Sequence, residues 1–148
     1  MINLVISPAY KSKISKEDLQ NVVSQVLKDQ SLQEDADLSI VIAGNKKIRQ
    51  LNLEFRGIDA PTDVLSFPDD EVDPDTGKRY LGDIVISFPY AQKQAEDEEN
   101  SLDDELRLLV VHGTLHLLGY DHVLPEEKKA MWAVQSRILD QLGVKINI

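Results

Sequence analysis

Apolar and polar positions divide the chain into short strands and helices, with no internal repeat and no long linker. Residues 2–6 read as a strand. Ser15, with Asp18 three residues on, makes a capping pair that opens a helix, and Leu19, Val22, Val23, Val26 and Leu27 form its single apolar stripe. Residues 38–43 predict a second strand ending at Gly44. Asn45 is then placed to cap a second helix that carries Ile48, Leu51, Leu53 and Phe55 inward and its basic residues outward, stopped by Gly57 and Pro61. Residues 63–67 predict a short third strand. After Pro68 an acidic segment with the turn signal Pro74-Asp75-Thr76-Gly77 predicts a long, mobile hairpin connection, suited to a lid or docking arm, before a strand over residues 80–87.

A short helix is expected from Phe88 to about Glu98, and Ser101 with Asp104 caps the next. That next helix is apolar on nearly every side, through Leu102, Leu106, Leu108, Leu109, Val110, Val111, Leu115, Leu117 and Leu118, so it belongs in the middle of the domain. Pro125 suits the first position of a terminal helix that buries Met131, Trp132, Val134 and Ile138 and ends near Gly143. The expected fold class is α+β: a small, mixed or mostly antiparallel sheet of about four strands packed around a central buried helix.

At 148 residues the chain fits one domain, expected to span residues 1–148, with a core that needs no covalent staples. There is no cysteine, which excludes disulfides and any cysteine-based zinc site. The first residues lack a basic region and a sufficiently long apolar run for a signal peptide, and no stretch approaches a membrane span, so a soluble cytoplasmic protein with no membrane partner is expected. A formal net charge of −10 argues against a polyanionic substrate. Its distribution modifies that reading: acid gathers at residues 69–75 and 96–105, whereas Lys46, Lys47, Arg49 and Arg56 share one span opposed only by Glu54.

All three histidines lie within residues 112–122, HGTLHLLGYDH. His112 and His116, four apart, share one face of a helix. Gly119 lets that helix end in a left-handed residue, so that His122 can turn back to the same point. Three imidazoles would converge on one metal ion and leave a fourth position open. The spacing is similar to the zincin pattern H-E-x-x-H-x-x-G-x-x-H, except that Gly113 replaces the glutamate that serves those peptidases as general base. Asp121 is placed either to accept from an imidazole or to close the turn through its own backbone, and Thr114 is assigned to packing.

The same residues carry a wider resemblance. The histidine block resembles the signature of the YbeY family, the bacterial metal-dependent endoribonucleases of ribosomal RNA maturation. Residues 52–68, NLEFRGIDAPTDVLSFP, resemble the family's second block, and residues 81–87, LGDIVIS, its third. Asp63 and Asp83 fall in these blocks and are assigned support or local capping. The resemblance implies a zincin-like fold and one zinc ion per chain on His112, His116 and His122. It gives Arg56 a phosphate-facing catalytic role beside these histidines. The implied reaction is cleavage of single-stranded RNA near the 3′ end of the small-subunit ribosomal RNA, with a part in ribosome quality control. The implied partners are that RNA, the small ribosomal subunit and its assembly proteins.

Three neutral imidazoles on zinc lower the pKa of bound water from about 15.7 to about 7, so loss of the peptidase glutamate is tolerable. The attacking group stays open between that water and the RNA's own 2′-hydroxyl. A guanidinium at Arg56 matches phosphate oxygens as a two-pronged donor. Two rival readings stay beside the nuclease: a zincin-like metallopeptidase, and a non-catalytic ribosome assembly factor with a structural zinc.

Overall fold

One mixed sheet organises the computed structural model, which describes residues 2–32 and 36–146. Its strands are β1 (Ile2–Ile6), β2 (Ala36–Ala43), β3 (Val64–Val72) and β4 (Arg79–Ser87), in the order β1-β2-β4-β3. The β1–β2 and β2–β4 pairings are parallel and β3–β4 is antiparallel, so β3 is an edge strand. The helices are α1 (Lys16–Asp29), α2 (Asn45–Arg56), α3 (Phe88–Glu98), α4 (Leu102–Leu117) and α5 (Pro125–Leu142), with a 3-10 turn at Pro8–Lys13.

Strand alternation sorts the core into two clusters. Leu38, Ile40 and Ile42 of β2, with Ile84 and Ile86 of β4, face the main core, where they meet α1, α3, α4 and α5. Among the described residues α2 covers the other face, through Ile48 against Leu65 and Val85. Helix α4 runs through the main cluster as its pattern requires, and Val110, Val111 and Leu115 are fully buried. Burial of such side chains stabilises the fold by about 1.5–3 kcal/mol each. The two serine caps form as expected: Ser15 Oγ accepts from Asp18 N–H and Ser101 Oγ from Asp104 N–H.

Four expectations need correction. The N-cap of α2 is Gly44, and Asn45 is the first helical residue; its Oδ1 accepts from Ser87 Oγ at 2.6 Å instead of capping. Leu53 and Phe55 are 49% and 61% exposed, because α2 covers only a small part of its sheet face and its last turn meets little apolar surface besides the half-buried Phe67. In α5, Met131 and Ile138 are buried, whereas Trp132 and Val134 are only half-buried. The acidic segment is not a loop from Pro68 onward, since β3 continues to Val72 and pairs with β4, leaving the turn to residues 73–78. A register irregularity between Pro68 and Glu71 absorbs the change. It depends on Gly82, at φ +132°, where a Cβ would stand 2.2 Å from the Phe67 carbonyl oxygen. Asp69 and Asp70 are spent on this arm: Asp69 Oδ1 accepts from two backbone N–H groups, and Asp70 pairs with Arg79 at 2.9 Å.

Candidate metal centre

The end of α4 builds the site. Gly119 N–H donates to His116 O and Tyr120 N–H to Leu115 O, the paired bonds of a Schellman close, with Gly119 at φ +98°. This turn aims the Tyr120 carbonyl back at the helix, where it accepts from His116 Nδ1 at 2.9 Å. On the other ligand, His112 Nδ1 donates to Gln135 Oε1 of α5, also at 2.9 Å. With both imidazoles neutral, these acceptor oxygens put the protons on Nδ1 and leave bare lone pairs on both Nε2 atoms. Those two Nε2 atoms stand 3.1 Å apart. With no proton between them the pair repels, and a cation between them removes the repulsion. Tetrahedral zinc at about 2.0–2.1 Å from each nitrogen wants a separation of about 3.4 Å, close to what the two rings offer.

His122 completes the group, with the ligand nitrogens of His112, His116 and His122 all within 4.8 Å of one another, so the three could hold one metal ion. Burial lowers the His112 pKa, and burial with the neighbouring His112 and His122 lowers that of His116 to about 4. Both shifts favour the neutral imidazoles that a metal requires. Asp121 takes the turn-closing role, its Oδ1 accepting from His122 N–H at 2.7 Å. Thr114 is buried and donates to Val110 O, in keeping with packing.

Gly113, at the position of the zincin base, faces the sheet. A Cβ there would lie 2.9 Å from Ile84 Cγ2 and 3.3 Å from Ser66 Oγ, and Ser66 Oγ donates to the Gly113 carbonyl. There is no room for a glutamate. Glycine here is the contact by which the histidine helix lies close on β3 and β4.

A cavity of about 740 Å³ opens over the histidines, and Arg56, Thr62, Asp63, Ser66 and Pro68 line it with them. Arg56 is the last residue of α2 and reaches the cavity around the β3 edge. The loop that follows is pinned to α2 twice: Arg49 forms a two-pronged pair with Asp59 at 2.7 and 3.1 Å, and Asn52 Nδ2 donates to Ala60 O. Four of the five arginines are thus held by acids, Arg49 by Asp59, Arg79 by Asp70, Arg107 by Asp18 and Asp104, and Arg137 by Asp29. Among the described residues Arg56 has no such partner. The surface ion pair that a basic residue here would ordinarily make belongs to Arg49. Asp63 accepts from Val64 N–H and from Gln94, and Asp83 from the Tyr80 hydroxyl.

A family model described as endoribonuclease YbeY matches residues 6–143. The chain belongs to that family. Endoribonuclease YbeY of Sulfurihydrogenibium sp. (strain YO3AOP1) is 44% identical over 146 residues, 97% of this chain and 93% of the relative. The Brevibacillus brevis endoribonuclease YbeY is 42% identical, across 86% of this chain and 89% of its own. The solution structure of TM1509 from Thermotoga maritima matches with a TM-score of 0.60 at 27% identity, covering 96% of this chain and 91% of that one. YbeY membership makes the chain an endoribonuclease, a hydrolase of RNA, and the peptidase and non-catalytic readings are not favoured. Among the described residues no helix is long and apolar enough to cross a membrane.

Sequence reasoning missed Gln135. It occupies the buried stripe of α5 between Met131 and Ile138, a polar residue in an apolar row, and that interruption was its only signal.

Proposed function

We propose that residues 1–148 form a single zinc-dependent endoribonuclease domain that cuts single-stranded ribosomal RNA near the 3′ end of the small-subunit RNA. It acts in the cytoplasm, with the small ribosomal subunit and its assembly proteins as partners, and contributes to ribosome quality control. One observation carries the reading: three imidazoles converging within 4.8 Å share a cavity with Arg56, the arginine without an acid partner among the described residues. His112, His116 and His122 would hold one zinc ion per chain. Bound there, zinc supplies Lewis acidity and an acidic water near neutral pH.

The rest of the work falls to this chain's own groups. Gln135 and the Tyr120 carbonyl hold the protons of His112 and His116 on Nδ1, which keeps both Nε2 atoms turned to the cavity. Arg56 grips the phosphate as a two-pronged donor and stabilises charge on its oxygens as the P–O bond breaks. With Gly113 packed on Ile84, no side chain stands where a peptidase places its base, so the site lacks the group that amide hydrolysis relies on. The test measures metal content together with cleavage of single-stranded RNA and of casein, for wild type and His116→Ala. The reading expects about one zinc per chain and a metal-dependent RNA cut in the wild type, both lost in the variant, with casein intact throughout. Full metal content in the variant, or casein cleavage without RNA cleavage, would overturn it.

A further inference from the structure

We propose that the exposed ring of Phe55 is a stacking platform for a nucleobase of the RNA strand whose phosphate Arg56 holds; this rests on the endoribonuclease reading of the cavity. By helical spacing Phe55 continues the inward stripe of Ile48 and Leu51. The helix outruns its covering, however, and the ring emerges 61% exposed. Phe67 holds it edge to face, with centroids 5.1 Å apart and planes at 64°, which fixes the ring while leaving much of its surface in water.

The location gives the platform its occupant. Phe67 lies on β3 between Ser66 and Pro68, and those two line the cavity from the opposite face of the same strand. No strand lies beyond β3 among the described residues, so the aromatic pair and the cavity are separated only by the edge strand that Arg56 reaches around. A strand bound by its phosphate at Arg56 can lay a neighbouring base over that edge. The charge of the helix suits the same ligand: Lys46 and Lys47 are exposed and make no ion pair among the described residues. Leu53 and Ile58 are exposed near the ring as well, but the helix that carries Phe55 also carries Lys46, Lys47 and Arg56 without an acid partner among the described residues, and that charge suits a nucleic acid better than an apolar protein face. Stacking on phenylalanine accepts any base and requires an unpaired one, so the platform favours single strands without reading sequence.

The experiment compares Phe55→Ala, Phe55→Leu and Phe55→Trp with wild type on a single-stranded RNA oligonucleotide, using metal-loaded protein and recording KM, kcat and melting temperature. A second series places one abasic nucleotide at each position in turn. The expected result is a KM raised about tenfold or more in the Ala and Leu variants, the scale of one lost base stack, with kcat and metal content held and the Trp variant close to wild type. One abasic position should weaken wild type by the same factor and leave Phe55→Ala unaffected. Equal activity of the Leu variant and wild type would overturn the platform, as would identical abasic profiles for wild type and Phe55→Ala. A defect seen on ribosomal subunits but not on naked RNA would overturn it in favour of a protein contact. Wild-type protein that fails to cut RNA in a metal-dependent way would sink the cavity reading itself, a result distinct from all of these.

Discussion

Gln135→Leu isolates a single hydrogen bond at the candidate metal centre. Leucine keeps much of the volume of a side chain that is only 6% exposed but removes the oxygen that accepts from His112 Nδ1 at 2.9 Å. A half-buried N–H donor is then left without a partner, which costs about 1–3 kcal/mol. The imidazole can escape that cost by moving its proton to Nε2, where it blocks the lone pair that a metal needs, or by rotating away from His116. Either route weakens metal binding by about 10–100-fold, the usual effect of losing a partner behind a ligand, and equals about 1.4–2.7 kcal/mol. The two figures agree, as they should if one bond accounts for both. Zinc affinity would be measured by competition with a fluorescent chelator at pH 7.5. Trp132, the only tryptophan, meets the rings of His112 and His122 edge-on at 5.8 Å and serves as an internal reporter. Gln135→Glu retains an acceptor and should hold affinity at or above wild type. A folded Leu variant that bound zinc within twofold of wild type would refute the orienting role.

Three further outcomes are expected. Arg56→Ala should leave melting temperature and zinc content unchanged, because Arg56 makes no ion pair among the described residues, while lowering RNA cleavage by roughly a hundredfold or more; a melting loss with normal turnover would contradict this. In Gly113→Ala, better helix propensity returns about 1 kcal/mol against an overpacking cost of about 1–3 kcal/mol at Ile84, for a net loss of up to about 2 kcal/mol. Gly113→Glu should lose far more, together with metal affinity, since lifting α4 off the sheet moves both of its histidines; thermal melts and chelator competition check both variants. For pH, the folded-state pKa values of His112 and His116 lie below the unfolded 6.5, with His116 at about 4. The unfolded chain therefore binds more protons, so metal-free protein keeps this stability above about pH 6.5 and loses it as pH falls toward about 4. Melting scans of apo protein across that window should show the decline, and His116→Ala should flatten it.

The histidine group was legible because its information is local: a four-residue spacing on one helix, then a glycine where the helix must stop. Serine caps and the apolar girdle of α4 are local in the same way. What stayed hidden depends on neighbours far along the chain. The acceptor for His112 comes from a helix 23 residues away, and the acceptor for His116 is a backbone carbonyl, which no side-chain pattern records. Asp121 was the visible acid next to the ligands, but its own backbone turn claimed it. The acidic stretch after Pro68 looked like a loop because charged residues are common in loops; pairing to β4 across the Gly82 irregularity turned part of it into strand. Periodicity gave the direction of Phe55 correctly, but direction does not say whether anything lies there to cover it.

The arginines resolve how so acidic a chain handles a polyanion. A net charge of −10 opposes general attraction to RNA, and among the described residues pairing withdraws four of the five arginines: Arg49, the expected member of a basic patch with Arg56, is held on both prongs by Asp59. A paired guanidinium must break that pair before it can take a phosphate, whereas Arg56 binds without that cost. The same Arg49–Asp59 bond fixes the loop that follows Arg56, so the neutralised arginine anchors the segment around the unpaired one. On the proposed reading, the one arginine without an acid partner among the described residues thus faces phosphate at the cavity over His112, His116 and His122. If the reaction takes place there as proposed, a guanidinium free of any acid partner among the described residues gives phosphate a preferred seat beside the three imidazoles.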